Sequence, residues 1–70
     1  MTDKRYTVEV IDETGDWSTY DRFAFRNDAL CAGRDLCESF DSVRVVDQAE
    51  AEILLDRIKG GAIWEAGKTS

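Results

Sequence analysis

The chain has no histidine and no proline among its 70 residues, and none of its five glycines builds a phosphate-cradling loop. The missing histidine removes the commonest general base and metal ligand at neutral pH. A nucleophilic cysteine would lack its usual activating base. Cysteine is scarce too: Cys31 and Cys37, six residues apart, are the only pair. On one helix they would be separated by about 240° around the axis, too far for a disulfide without unwinding. A zinc site is excluded on ligand count, and no cofactor is expected. Two free thiols fit a reducing, cytoplasmic setting. No apolar stretch approaches membrane-spanning length, and Met1 to Arg5 leads into a strand pattern with no apolar signal region.

Acid dominates what remains. Fifteen Asp and Glu face nine Lys and Arg, a net charge of −6. Such a surface repels nucleic-acid phosphate and anionic membrane, and it favours basic protein partners. Seventy residues (1–70) make a single domain with a thin stability margin, and they leave little room for both a core and a deep cleft. Oligomerisation or partner binding would widen that margin.

Periodicity gives the elements. Tyr6 to Ile11 alternates, with Tyr6, Val8 and Val10 inward. Asp12-Glu13-Thr14-Gly15-Asp16 is turn chemistry, and Trp17 to Arg26 reads as a second strand of an antiparallel hairpin, Phe23 and Phe25 sharing a face. Asn27 is the expected N-cap of a helix over 27–40 whose stripe is Leu30, Gly33, Leu36, Cys37 and Phe40. Gly33 in mid-helix implies close approach to the sheet. Val43 to Val46 is a third strand. Asp47-Gln48-Ala49-Glu50 has capping-box spacing, and Ala51, Leu54, Leu55 and Ile58 fall at i, i+3, i+4 and i+7, so a second amphipathic helix is expected, ended by Gly60-Gly61. Ala62 to Trp64 would add a short edge strand or pack as an extended tail, and residues 65–70 would fray. The expected fold class is α+β: a small, mostly antiparallel sheet with two helices on one face, in the order ββαβα.

The candidate surface is electrostatic. Glu9, Asp12, Glu13, Asp16 and Asp21 precede any base on the hairpin, and Asp28, Asp35 and Glu38 fall on the outer side of the first helix. Glu52 and Asp56 would be repelling i, i+4 neighbours on the second. Trp17 and Tyr20 among these acids are interface-anchor types. The expected partner-binding set is therefore Asp12, Glu13, Asp16, Trp17, Tyr20, Asp21, Asp28, Asp35 and Glu38, with no catalytic or metal-binding residue. The bland alternatives are a solvated acidic face and tryptophans (Trp17, Trp64) that seal the ends of the core. Arg22, Arg26 and Arg44 are expected together on the sheet face opposite the helices, a second surface suited to self-association or an acidic peptide.

The Tyr-x-Val-x-Val strand (Tyr6, Val8, Val10), the Gly-Asp-Trp turn (Gly15, Asp16, Trp17), the Phe-ended strand leading into an Ala/Leu helix and the Val-Arg-Val-Val-Asp run (Val43 to Asp47) resemble the short acidic proteins of phages and mobile elements, including those of the anti-CRISPR type. The resemblance spans residues 6–47. It implies a non-enzymatic inhibitor that imitates DNA and covers a basic nucleic-acid-binding surface, such as that of a CRISPR effector, without itself binding nucleic acid or membrane. It assigns no individual residue. The alternative is a structural, self-assembling accessory protein with apolar contacts through Trp17, Tyr20, Trp64 or the sheet face. A small redox protein using Cys31 ranks last.

Overall fold

The computed structural model describes residues 4–66. The elements are β1 (Tyr6–Ile11), β2 (Trp17–Phe23), α1 (Arg26–Leu36), β3 (Val43–Asp47), β4 (Glu52–Arg57) and β5 (Trp64–Glu65). The five strands form one sheet in the order β2-β1-β3-β4-β5, every neighbouring pair antiparallel. Strands β2 and β3 flank β1, so they run parallel to each other with β1 between them. Helix α1 is the crossover joining them, packed on one face of the sheet against β1, β2, β3 and β4.

The alternation read in β1 and β3 sets the core. Val8 lies opposite Val45 and Val10 opposite Val43, and all four are buried. Ala29, Cys37, Leu54 and Leu55 complete the buried cluster, with Tyr6, Phe23, Leu30, Leu36, Phe40 and Ala66 packed around it. Gly33 is where the helix meets the sheet. A Cβ there would lie 2.6 Å from Val45 Cγ2, so any side chain would push α1 outward.

The second helix is not formed. Its residues make strand β4, so the fold is one helix on a five-stranded antiparallel sheet, and not two helices on a smaller one. Two local features explain the change. Asp47 Oδ1 does accept from the backbone N–H of Ala49 (3.1 Å) and Glu50 (3.4 Å), as a cap would, but the turn it stabilises is that of the β3–β4 hairpin. An Asp side chain bonding two and three residues ahead serves a turn as well as a helix start. The adjacent Leu54 and Leu55, which suit a helix, are both buried here because the pairing shifts by one residue between Val45/Leu55 and Val46/Ile53. That bulge leaves Leu54 as an extra residue, so two consecutive side chains reach the interior.

Smaller corrections follow the same logic. Phe25, not Asn27, is the N-cap of α1, with no side-chain cap bond. Phe25 is 67% exposed and does not share the buried side of Phe23. The helix ends at Leu36, where the bonding tightens to i→i+3 from Glu38 to Asp35 and Ser39 to Leu36. Arg57 donates to the Cys37 carbonyl just past that end and to the carbonyls of Gly60 and Gly61. Glu65 lies within β5 and Ala66 donates to the Leu54 carbonyl. The rest of the expected frayed segment, 67–70, lies outside the described residues.

Candidate functional site

The hairpin acids occupy a tight tip. Asp12 Oδ1 accepts from the Thr14 N–H at 2.9 Å, from the Thr14 hydroxyl and from the Asp16 N–H at 3.4 Å. The Asp12 N–H donates to Asp16 O, and Gly15, at φ 87°, donates back to Asp12 O. These bonds, with the Thr14 hydroxyl first among them, hold the Asp12 carboxyl below its usual pKa. Asp12 thus serves its own turn, while Glu13 and Asp16 project from it, exposed. A shallow hollow of about 440 Å³ separates this tip from the α1–β3 connection; Ile11, Asp12 and Glu13 line one side, Ser39 to Ser42 the other. It brings Asp41, the residue after the expected helix over 27–40, beside the tip acids.

Strand β2 divides the other expected residues. Between Val8 and Glu9 the β1–β2 register slips, and Tyr20 is the extra residue. Its ring meets Phe40 edge-on, centroids 6.0 Å apart at 70°. Asp21 lies opposite Val8, whose side chain points under the helix. Trp17, four residues before Asp21, sits opposite Ile11, on the other face of the sheet. There the Arg44 guanidinium lies 4.1 Å from the centre of the Trp17 ring and donates to Glu9 Oε1 at 2.6 Å. Trp17 is therefore not grouped with the acids. Asp28, Asp35 and Glu38 are exposed on α1 and just beyond it, with no ion-pair partner among the described residues.

The sheet face turned away from α1 carries rows that follow from the register: Thr19, Glu9, Arg44, Asp56 and Trp64 across five strands, and Arg22, Thr7, Val46 and Ile53 beside them. Arg22 and Arg44 share this face as expected. Arg26 does not, because β2 ends at Phe23 and Arg26 opens α1. Among the described residues no helix packs on this face; Thr7 is buried among its neighbours, whereas Ile53 is 41% and Trp64 54% exposed.

The ion pairs explain where the charge goes. Arg5 pairs with Asp47, Arg34 with Glu65 and Arg44 with Glu9, and Arg57 is committed to backbone carbonyls. Three of the nine cations are thereby matched with three acids, and a fourth serves backbone carbonyls. Among the described residues no three of Cys, Asp and Glu are placed to hold a metal ion, and no helix is long and apolar enough to cross a membrane. Cys31 is exposed and Cys37 buried. No family model matches the sequence, and neither the curated proteins nor the solved structures yield a match.

Proposed function

We propose that the chain is a non-enzymatic acidic docking module for a protein with a basic surface, of the kind that otherwise binds nucleic acid. The observation that carries this is the partition of charge. Arg5, Arg34 and Arg44 are drawn into ion pairs and Arg57 onto backbone carbonyls, whereas Glu13, Asp16, Asp28, Asp35 and Glu38 stand exposed without an ion-pair partner among the described residues. Exposed carboxylates fixed on a helix and a tight turn present negative charge at set spacings, which steers encounter with a positive groove. An inhibitor of the anti-CRISPR type is the specific form this reading takes, its target a CRISPR effector or comparable complex and its effect the exclusion of DNA.

The test is capture from bacterial lysate on the immobilised protein at about 50 mM and about 500 mM salt. The Asp28→Lys/Asp35→Lys/Glu38→Lys variant is run beside it. A captured protein that is lost at high salt and lost with the variant, and whose binding to duplex DNA the free chain inhibits, supports the reading. Capture indifferent to both salt and charge reversal removes it.

A further inference from the structure

We infer that the uncovered sheet face is a homodimer interface, where two copies of this chain pack sheet to sheet about a two-fold axis. This stands apart from the acidic reading, since it uses the opposite side of the domain and leaves α1 outward in both copies.

Three observations select a second copy as the occupant. The first is charge. The register places Glu9, Arg22, Arg44 and Asp56 on this face, and Lys4 lines a hollow there beside Thr7, Glu9 and Arg22; together they sum to +1, while the whole chain carries −6. The excess acid therefore lies elsewhere: on the hairpin tip, on α1 and in the connections. Two like-charged molecules meet at least electrostatic cost through the sides that carry none of their excess acid.

The second is self-complementarity. A two-fold interface must match its own image. An axis along the strands between β1 and β3 lays β1 of one copy over β3 of the other. Glu9 then faces Arg44 of the second copy, and Arg44 faces its Glu9, doubling the pair already made within each chain. The same rotation sets β2 over β4, which brings the guanidinium of Arg22, without an ion-pair partner among the described residues, to the row of Ile53 and within diagonal reach of Asp56. Around these charges lie Ile11, Trp17, Val46 and Ile53, the apolar content of a sandwich core, with Trp64 of β5 at its rim.

The third is area. The domain is a slab of 34 × 32 × 19 Å, a single helix-on-sheet thickness. Its broad face bounds the contact at about 1,000 Å², and the five strands alone, at ~4.8 Å spacing and ~3.3 Å per residue, supply roughly 400 Å². These bracket the ~800 Å² per partner of an ordinary specific interface, so a reversible dimer is expected.

Sedimentation velocity from about 1 μM to about 1 mM tests this, spanning the affinity range of weak association. The expected result is a concentration-dependent monomer–dimer equilibrium, weakened at least tenfold by Ile53→Glu and to a smaller extent by Trp64→Ala at the rim. It should be unchanged by Asp28→Lys/Asp35→Lys. Both interface variants alter exposed residues, and their folding is checked by circular dichroism. Amide shifts of the wild-type chain on dilution give a second readout that needs no variant; changes should concentrate on Thr19, Glu9, Arg44, Asp56, Trp64 and their neighbours. A chain that stays monomeric at 1 mM, or a dimer whose dilution shifts map to α1, overturns the inference.

Discussion

Arg5 grips Asp47 with both arms of its guanidinium, Nε to Oδ1 at 3.0 Å and Nη2 to Oδ2 at 2.6 Å. Asp47 is the last residue of β3 and is buried, and the same carboxylate also holds the hairpin turn through Ala49 and Glu50. The residue just before β1 is thereby tied to the turn that follows β3. The Arg5 hydrogen bond, with smaller help from the turn amides, holds the Asp47 carboxyl below its usual pKa against the opposing effect of burial.

A carboxyl whose pKa is lower folded than unfolded stabilises the fold fully above its unfolded value of about 3.9, and loses that contribution as pH falls through the folded value. The urea midpoint of Asp47→Asn should therefore lie below that of the wild type at pH 7. The gap should close on acidification below about pH 4, where the wild type loses the same charge. A gap that stays constant from pH 7 to pH 2.5 contradicts this role for the pair.

Asp12 separates turn chemistry from surface charge. Its carboxylate is engaged by Thr14 and Asp16, whereas Glu13 and Asp16 project outward. Asp12→Ala should lower the melting temperature by several degrees, and Asp12→Asn, which keeps an acceptor oxygen, by less. Glu13→Gln should leave it within about 1 °C, as for a surface change worth at most ~0.5 kcal/mol. Equal melting temperatures for Asp12→Ala and Glu13→Gln would show that the turn does not depend on this side chain.

Gly33→Ala sets helix propensity against packing. Alanine favours the helix by about 1 kcal/mol. The added methyl, however, would meet Val45 Cγ2 at 2.6 Å, and Val45 is fully buried and stiff at χ1. Overpacking a close contact costs typically 1–3 kcal/mol, so the variant should be less stable by roughly 1 kcal/mol in urea denaturation. A stabilised Gly33→Ala would mean that α1 does not sit this close to β3.

Elements whose side-chain period matched their environment were legible before any coordinates. Strands β1 and β3 alternate because one face is buried, and the Leu30-Gly33-Leu36-Cys37 stripe marks the buried side of α1. Strand β4 was not legible, because Asp47 offers the same amide-binding oxygen to a turn or a helix start and a bulge mimics helical spacing at Leu54 and Leu55. The exposure of the acids was also legible, since charge is seldom buried unpaired. Their grouping was not. It depends on the slip at Tyr20, which parts Trp17 from Asp21, and on the long-range approach of Asp41 to the hairpin tip. The stacking of Arg44 on Trp17 joins residues on strands separated by β1, which no local pattern records.

The two thiols report on the helix orientation. Cys31 is exposed and Cys37 only 8% so. Under native conditions an aromatic disulfide reagent should titrate one thiol rapidly and the second only as fast as the fold opens. In urea both should react together. The fast site should vanish in Cys31→Ser and persist in Cys37→Ser. Two equally fast thiols in the native protein would place Cys37 outside the core.

Strand β4 gives the sharpest distinction between the observed fold and the helical alternative. In a regular strand Leu54 and Leu55 would point to opposite faces, and truncating one of them would be cheap. The bulge buries both, at 2% and 0% exposure, while the preceding Ile53 lies on the open face. Leu54→Ala and Leu55→Ala should therefore each destabilise by about 2–5 kcal/mol. Ile53→Ala should cost about 1 kcal/mol or less when measured at low micromolar concentration, which minimises any contribution from self-association. A helix over the same residues would instead bury Ala51 and Ile58 with the leucines, yet both are exposed here. Ala51→Glu and Ile58→Glu should accordingly be tolerated, and a loss of several kcal/mol from either would restore the helix.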